Sequence, residues 1–124
     1  MRRQIMKQLG SLRLGDLVFV EWSDASIGKS LHSGAIDVPV YSYGLFLGCL
    51  GEKRKHIILA QNSFRYANGL YDIDYTAIPL DWSVKIISVK AKQVDEETAG
   101  CLVRSFLQGH ARRLKRRIHN HERV

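Results

Sequence analysis

The feature that most constrains this chain is a change of hydrophobic period at Asp95. Before it, apolar residues come in short alternating runs separated by turn residues; after it, they recur every three or four positions. Leu17-Val18-Phe19-Val20-Glu21-Trp22 follows the turn Leu14-Gly15-Asp16 and is rich in β-branched and aromatic side chains, which predicts a strand. Val40 to Leu50 alternates, with Tyr41, Tyr43, Leu45, Leu47 and Cys49 on one face and Ser42, Gly44, Phe46 and Gly48 on the other; the glycines suit a sharply curved strand. The charged turn Gly51-Glu52-Lys53-Arg54-Lys55 leads into a strand from His56 to Gln61, and the pair reads as the central hairpin of a small sheet. Asn68-Gly69 marks a turn within Arg65 to Tyr75. Ala77 to Trp82 is predicted as a short extended piece entering a tight turn, and Val84 to Val89 as the closing strand.

Past Asp95 the spacing of Val103, Phe106, Leu107, His110, Leu114 and Ile118 predicts an amphipathic helix over 95–119. Asp95 suits its N-cap, Glu96 and Glu97 its first turn, and the arginines its last turns, in keeping with the helix dipole. Gly100 and Gly109 each weaken a helix interior by about 1 kcal/mol relative to alanine. A length of 124 residues leaves room for one compact unit and an appendage. The expected division is a short basic N-terminal segment over 1–12, a small β-barrel over 13–91, the basic helix over 95–119 and a frayed tail over 120–124. Five short strands in roughly 75 residues favour a closed barrel, because closure removes exposed strand edges.

The order of strand, long loop, hairpin and Ile78-Pro79-Leu80-Asp81-Trp82-Ser83 before a last strand resembles SH3-like and Sm-like small barrels, in which a single helical turn precedes the final strand. The resemblance covers residues 13–90 and implies a mainly β fold, a five-stranded barrel to which the C-terminal helix is added. More narrowly, Gly15-Asp16-Leu17-Val18, Trp22-x-Asp24-Ala25, Val40-x-Ser42-x-Gly44, Ile58-Leu59-Ala60-Gln61 and Ile78-Pro79 are similar to a set of small phage and prophage proteins without assigned activity. That resemblance implies a small barrel and a mobile-element origin, so function rests on the residues.

Charge is the clearest functional signal. Nineteen Lys and Arg against twelve Asp and Glu give a net charge of +7, yet residues 13–90 carry eight of each sign. The surplus therefore sits on the two ends, and most densely in Arg112, Arg113, Lys115, Arg116 and Arg117. On a helix Arg112 stacks over Arg116 and Arg113 over Arg117, like-charge pairs that each cost about 0.2–0.5 kcal/mol. Solvent and the C-terminal dipole offset part of that cost; a phosphate backbone offsets more, through counterion release. Lys53, Arg54 and Lys55 of the hairpin turn would add to such a patch. Trp22 or Tyr43 could stack on bases at about 1–3 kcal/mol per stack, although rings of this kind also simply fill small barrels.

Other motifs weigh less. Ser23 to Ser30 ends in Gly28-Lys29-Ser30 but has serine where a phosphate-cradling loop starts with glycine, and the residues after it do not read as a helix. The long connection from Ser23 to Val38 is read as a loop. His119-Asn120-His121-Glu122 lies at the chain end without a fixed surrounding shell, and no Ser, His and Asp stand at a nucleophile turn. Cys49 and Cys101 belong to no C-x-x-C pair and read as small apolar side chains. The longest uncharged stretch, Val38 to Gly51, contains Pro39 and falls short of the ~20 residues of a membrane span. Arg2, Arg3 and Lys7 precede no apolar block, so no secretory signal is expected and the chain is read as cytoplasmic and soluble.

The expectation is a non-catalytic nucleic-acid-binding or accessory protein, for RNA or DNA, with no cofactor, metal or membrane. The alternative is a structural or interaction module, phage- or virus-derived in origin, that self-assembles or docks an acidic partner through its C-terminal helix.

Overall fold

The computed structural model describes residues 2–24, 38–67 and 69–122, with side-chain surroundings for 2–23, 38–67 and 69–109. Its elements are α1 (Arg2–Gly10), β1 (Leu17–Asp24), β2 (Val38–Leu50), β3 (His56–Arg65), β4 (Tyr71–Pro79), a 3-10 turn (Leu80–Trp82), β5 (Ser83–Lys90) and α2 (Glu96–Glu122). Most of the predicted connection between Ser23 and Val38 lies outside the described residues, as do Asn68 and the last two positions of the predicted tail.

The fold is mainly β: one five-stranded antiparallel sheet in the order β4-β3-β2-β1-β5, with a C-terminal helix. Strand count and helix agree with the sequence reading. The N-terminal segment folds as α1, and the extended piece expected from Ala77 to Trp82 begins earlier, as the strand β4 from Tyr71, and its last three residues form the 3-10 turn. The sheet does not close into a barrel through strand pairing: among the described residues no ladder joins β4 to β5. One reason lies on the outer edge of β5, where the Ile86 N–H donates to Gln8 Oε1 of α1 at 2.8 Å. An edge amide satisfied by a side chain is not available to another strand.

Two apolar clusters sandwich the sheet. On the face that α1 covers, Val18, Val20, Trp22, Phe46, Ile57, Leu59, Ile78, Leu80 and Ile86 pack with Ile5. On the face that α2 covers, Leu47, Ile58, Ala60 and Ile73 pack with Leu102, flanked by Leu45, Val103 and Phe106. Full burial of each Leu, Ile or Val is worth about 1.5–3 kcal/mol, so these clusters hold both helices to the sheet.

The face assignment along β2 needs one correction. Phe46 pairs with Leu59 and Gly48 with Ile58, so Leu47 is an extra residue and the strand bulges there. Gly48 supplies the positive φ of 125° at this bulge, a backbone state that a Cβ disfavours. Beyond the bulge the alternation is inverted: Leu45 and Leu47 face α2, whereas Cys49 packs into the opposite cluster with Phe46.

The start of α2 is clamped to the start of β1. Asp16, 2% exposed, accepts from the backbone N–H of Arg13 at 3.0 Å and of Lys92 at 2.9 Å. Its own backbone carbonyl accepts from Phe46 N–H. Asp95 caps α2 as expected, its Oδ1 accepting from Thr98 N–H at 2.7 Å.

Candidate nucleic-acid interface

α2 covers only part of its face of the sheet. Along β2 that face passes from Tyr41 and Tyr43, which are 57% and 56% exposed, to Leu45 and Leu47, which pack under α2. Antiparallel register places Phe19 of β1 directly opposite Tyr43 and Ile87 of β5 opposite Phe19. The Phe19 ring stacks on Tyr41 with centroids 5.9 Å apart and planes 14° apart, and meets Tyr43 at 5.1 Å and 51°. Phe19 is half-buried and underpins two exposed rings. The result is a row of aromatic rings on a rigid sheet, extended by the exposed Ile87.

The charges around this row follow from the same register. Glu21 pairs with Tyr41 on one side and Lys85 on the other, and Lys90 pairs with Leu17. Lys85 thus stands opposite the one carboxylate, and Lys90 stands at the other end of β1. Next to Tyr43, where β2 and β3 diverge, a cleft of about 290 Å³ opens between Gly44 and Ser63.

Of the rings named from sequence, Tyr43 stands in this row and Trp22 does not. Trp22 is 9% exposed in the core under α1, its Nε1–H donates to Ser42 Oγ at 3.0 Å, and it stacks on Trp82 at 6.3 Å. Sequence reasoning did not single out Phe19; its signal was the alternation Leu17, Phe19, Glu21, which predicts one shared face but not which ring it meets across strands.

Lys53, Arg54 and Lys55 are exposed in the β2–β3 turn. They stand at the far end of β2 from Tyr43, roughly 25 Å along the strand at ~3.3 Å per residue, so the fold does not bring them to the rings. Gly51 and Glu52 of the same turn line a second feature, an apolar groove of about 750 Å³ between the turn and α2, with Leu50, His56, Ile58, Tyr75, Phe106 and Leu107 in its walls. The Tyr75 and Phe106 rings meet edge-on at 4.8 Å, and Tyr71 N–H donates to Ser105 Oγ at 3.1 Å, fixing α2 along β4. Cys49 is half-buried near the same turn; burial raises its thiol pKa, and the charge of Lys55 partly opposes the rise.

Arg112, Arg113, Lys115, Arg116 and Arg117 all fall within α2, whose backbone runs on to Glu122. At 1.5 Å per residue, the stretch from 110 to 122 adds about 20 Å of helix. Their side chains lie outside the described residues. Among the described residues no cluster of His, Cys, Asp and Glu could hold a metal ion, and no helix is long and apolar enough to cross a membrane. No protein-family model, curated protein or solved structure matches the chain.

Proposed function

We propose that this chain is a non-catalytic nucleic-acid-binding or accessory protein that holds phosphates with the basic run of α2 and bases with the aromatic row of the sheet. The observation that carries the reading is the pair of exposed, buttressed rings Tyr41 and Tyr43 on the part of the sheet face that α2 leaves bare. Exposed apolar surface of this kind marks binding faces, and every base offers a π-face to it. The charge distribution supports the same partner: an electrically balanced body with all of its surplus cations at the ends favours a polyanion. Arg112, Arg113, Lys115, Arg116 and Arg117 are the phosphate contacts in this reading, with Lys53, Arg54 and Lys55 as an outlying basic site.

The strand order and the 3-10 turn before β5 support the finer fold reading of an SH3-like or Sm-like small barrel, its open side filled by α1 rather than by a β4–β5 ladder.

The test is a salt series on the full chain with a labelled oligonucleotide. The logarithm of the association constant should fall linearly with the logarithm of salt, by about 0.7–0.9 per phosphate engaged. Replacing the five basic residues of α2 by glutamine should flatten that slope. An unchanged slope removes α2 from the interface.

The groove beside Phe106 and Leu107 favours a second reading, an interaction module in which α2 docks against another subunit. Leu107 is 47% exposed at its rim. Sedimentation of the full chain separates the two, since only this reading requires self-association without nucleic acid.

A further inference from the structure

We infer that the ligand of the aromatic row is single-stranded nucleic acid, held by its bases, and not a duplex. The inference rests on the nucleic-acid reading above and narrows it to one class of polynucleotide.

The first argument is access. In a duplex the base faces are stacked on one another, and only phosphates, sugars and groove edges reach a protein surface. Tyr41, Tyr43 and Phe19 offer nothing that suits phosphates in particular; what they offer is ring face and ring edge. Such surface has complementary partners only where bases are unstacked, as in single strands.

The second argument is spacing. Tyr41 and Tyr43 lie two residues apart on one face of β2, which sets their Cα atoms about 6.6 Å apart along the strand. Successive bases of a duplex strand rise about 3.4 Å, so two stacked neighbours cannot each meet one of these rings. A stretched single strand roughly doubles that rise and brings successive bases onto successive tyrosines.

The third argument is preorganisation. Phe19 lies against both rings, at 5.9 Å from Tyr41 and 5.1 Å from Tyr43, and the β1–β2–β5 ladders hold all three backbones. Rings already fixed lose little side-chain freedom when a base stacks on them. Lys85 and Lys90 of β5 lie at register positions beside the row and supply cations for the backbone of the same strand, while Glu21 beside Tyr41 opposes it. α2 covers the neighbouring Leu45 and Leu47 of the same face through Leu102, Val103 and Phe106, and the basic run follows further along the same helix. A strand long enough to pass from the rings to that run meets bases and cations together.

The experiment measures binding of the full chain to fluorescein-labelled dT20, rU20 and a dA20·dT20 duplex at fixed salt. It compares the natural sequence with Tyr41→Ala/Tyr43→Ala, Tyr41→Phe/Tyr43→Phe, Glu21→Gln and the α2 glutamine variant. The inference expects dT20 or rU20 to bind at least tenfold more tightly than the duplex. The double alanine variant should lose roughly 5-fold or more per ring on the single strand and change duplex binding less than twofold. The phenylalanine variant should bind like the natural sequence, which shows that rings and not hydroxyls matter, and the alanine variant's retained duplex binding shows that its loss on the single strand is not misfolding. Glu21→Gln should bind the single strand more tightly. Equal binding of single strand and duplex, both insensitive to the tyrosines but lost in the α2 variant, overturns the inference and leaves the nucleic-acid reading standing. Binding of none of the three oligonucleotides overturns both, and self-association abolished by the alanine variant would then assign the rings to a protein contact.

Discussion

Phe19 and Tyr41 stack across neighbouring strands with their planes 14° apart, and the exposed ring is held by the half-buried one. Register produces this pairing: Phe19 sits opposite Tyr43 and diagonal to Tyr41, so one side chain on β1 supports two on β2. Replacing Phe19 by alanine should therefore weaken single-strand binding although the residue it removes is not the exposed one. The expected loss is smaller than for either tyrosine, because the rings remain but are less ordered. Anisotropy titration of Phe19→Ala and Phe19→Leu checks this, with the leucine variant falling between alanine and the natural sequence.

Asp16 is the residue on which the junction of β1 and α2 depends. Its buried carboxylate holds two backbone N–H groups, those of Arg13 and Lys92, from segments far apart in sequence. Asp16→Ala leaves both donors without that acceptor at a site with little access to water, at about 1–3 kcal/mol each. Urea denaturation should show a loss of about 2–5 kcal/mol, with Asp16→Asn losing less because an amide oxygen can still accept one bond.

Gln8 guards the open edge of the sheet. With its Oε1 removed, Ile86 N–H faces solvent or another strand. Gln8→Ala should lower stability by about 1 kcal/mol and, more tellingly, introduce concentration-dependent association through β5. Analytical ultracentrifugation at two concentrations reads the second effect, and a variant that stays as monomeric as the natural chain would show that α1 does not protect this edge.

Asp95 makes the attachment of α2 sensitive to acid. The Thr98 hydroxyl and then the Thr98 N–H hold its carboxyl below the ordinary value of 3.8. A carboxyl depressed on folding stabilises the folded state fully above that ordinary value, and the contribution fades as pH falls through the lower, folded-state value. Thermal unfolding followed by circular dichroism between pH 6 and pH 2 should show an acid-dependent component in the natural chain. Asp95→Asn, which keeps an acceptor but does not titrate, should lack that component.

Much of the fold was legible because it is local. The alternation of β1 and β2, the charged turn after Leu50 and the Asp95 cap with its acidic first turn each depend on a few adjacent residues, and each appears in the structure. What the sequence hid is non-local. The bulge at Leu47 inverts the face of Cys49 through pairing with β3, which strand periodicity alone does not encode. The polar Gln8 in a short basic segment gave no sign that it would cap an edge strand 78 residues away. At the candidate site Tyr43 was legible as an alternating aromatic residue, whereas Trp22, part of the same pattern, turns inward onto Ser42 and Trp82. One residue's difference in strand parity decides between core and surface.

The central claim is that α2 and the aromatic row grip one strand together. Photocrosslinking with a bromouracil-substituted single strand, followed by mass spectrometry of the digested full chain, tests it most directly. The account predicts adducts on the peptide carrying Tyr41 and Tyr43 and on peptides from 112–117. Adducts confined to other surfaces, or none at a protein concentration where binding is saturated, would contradict it.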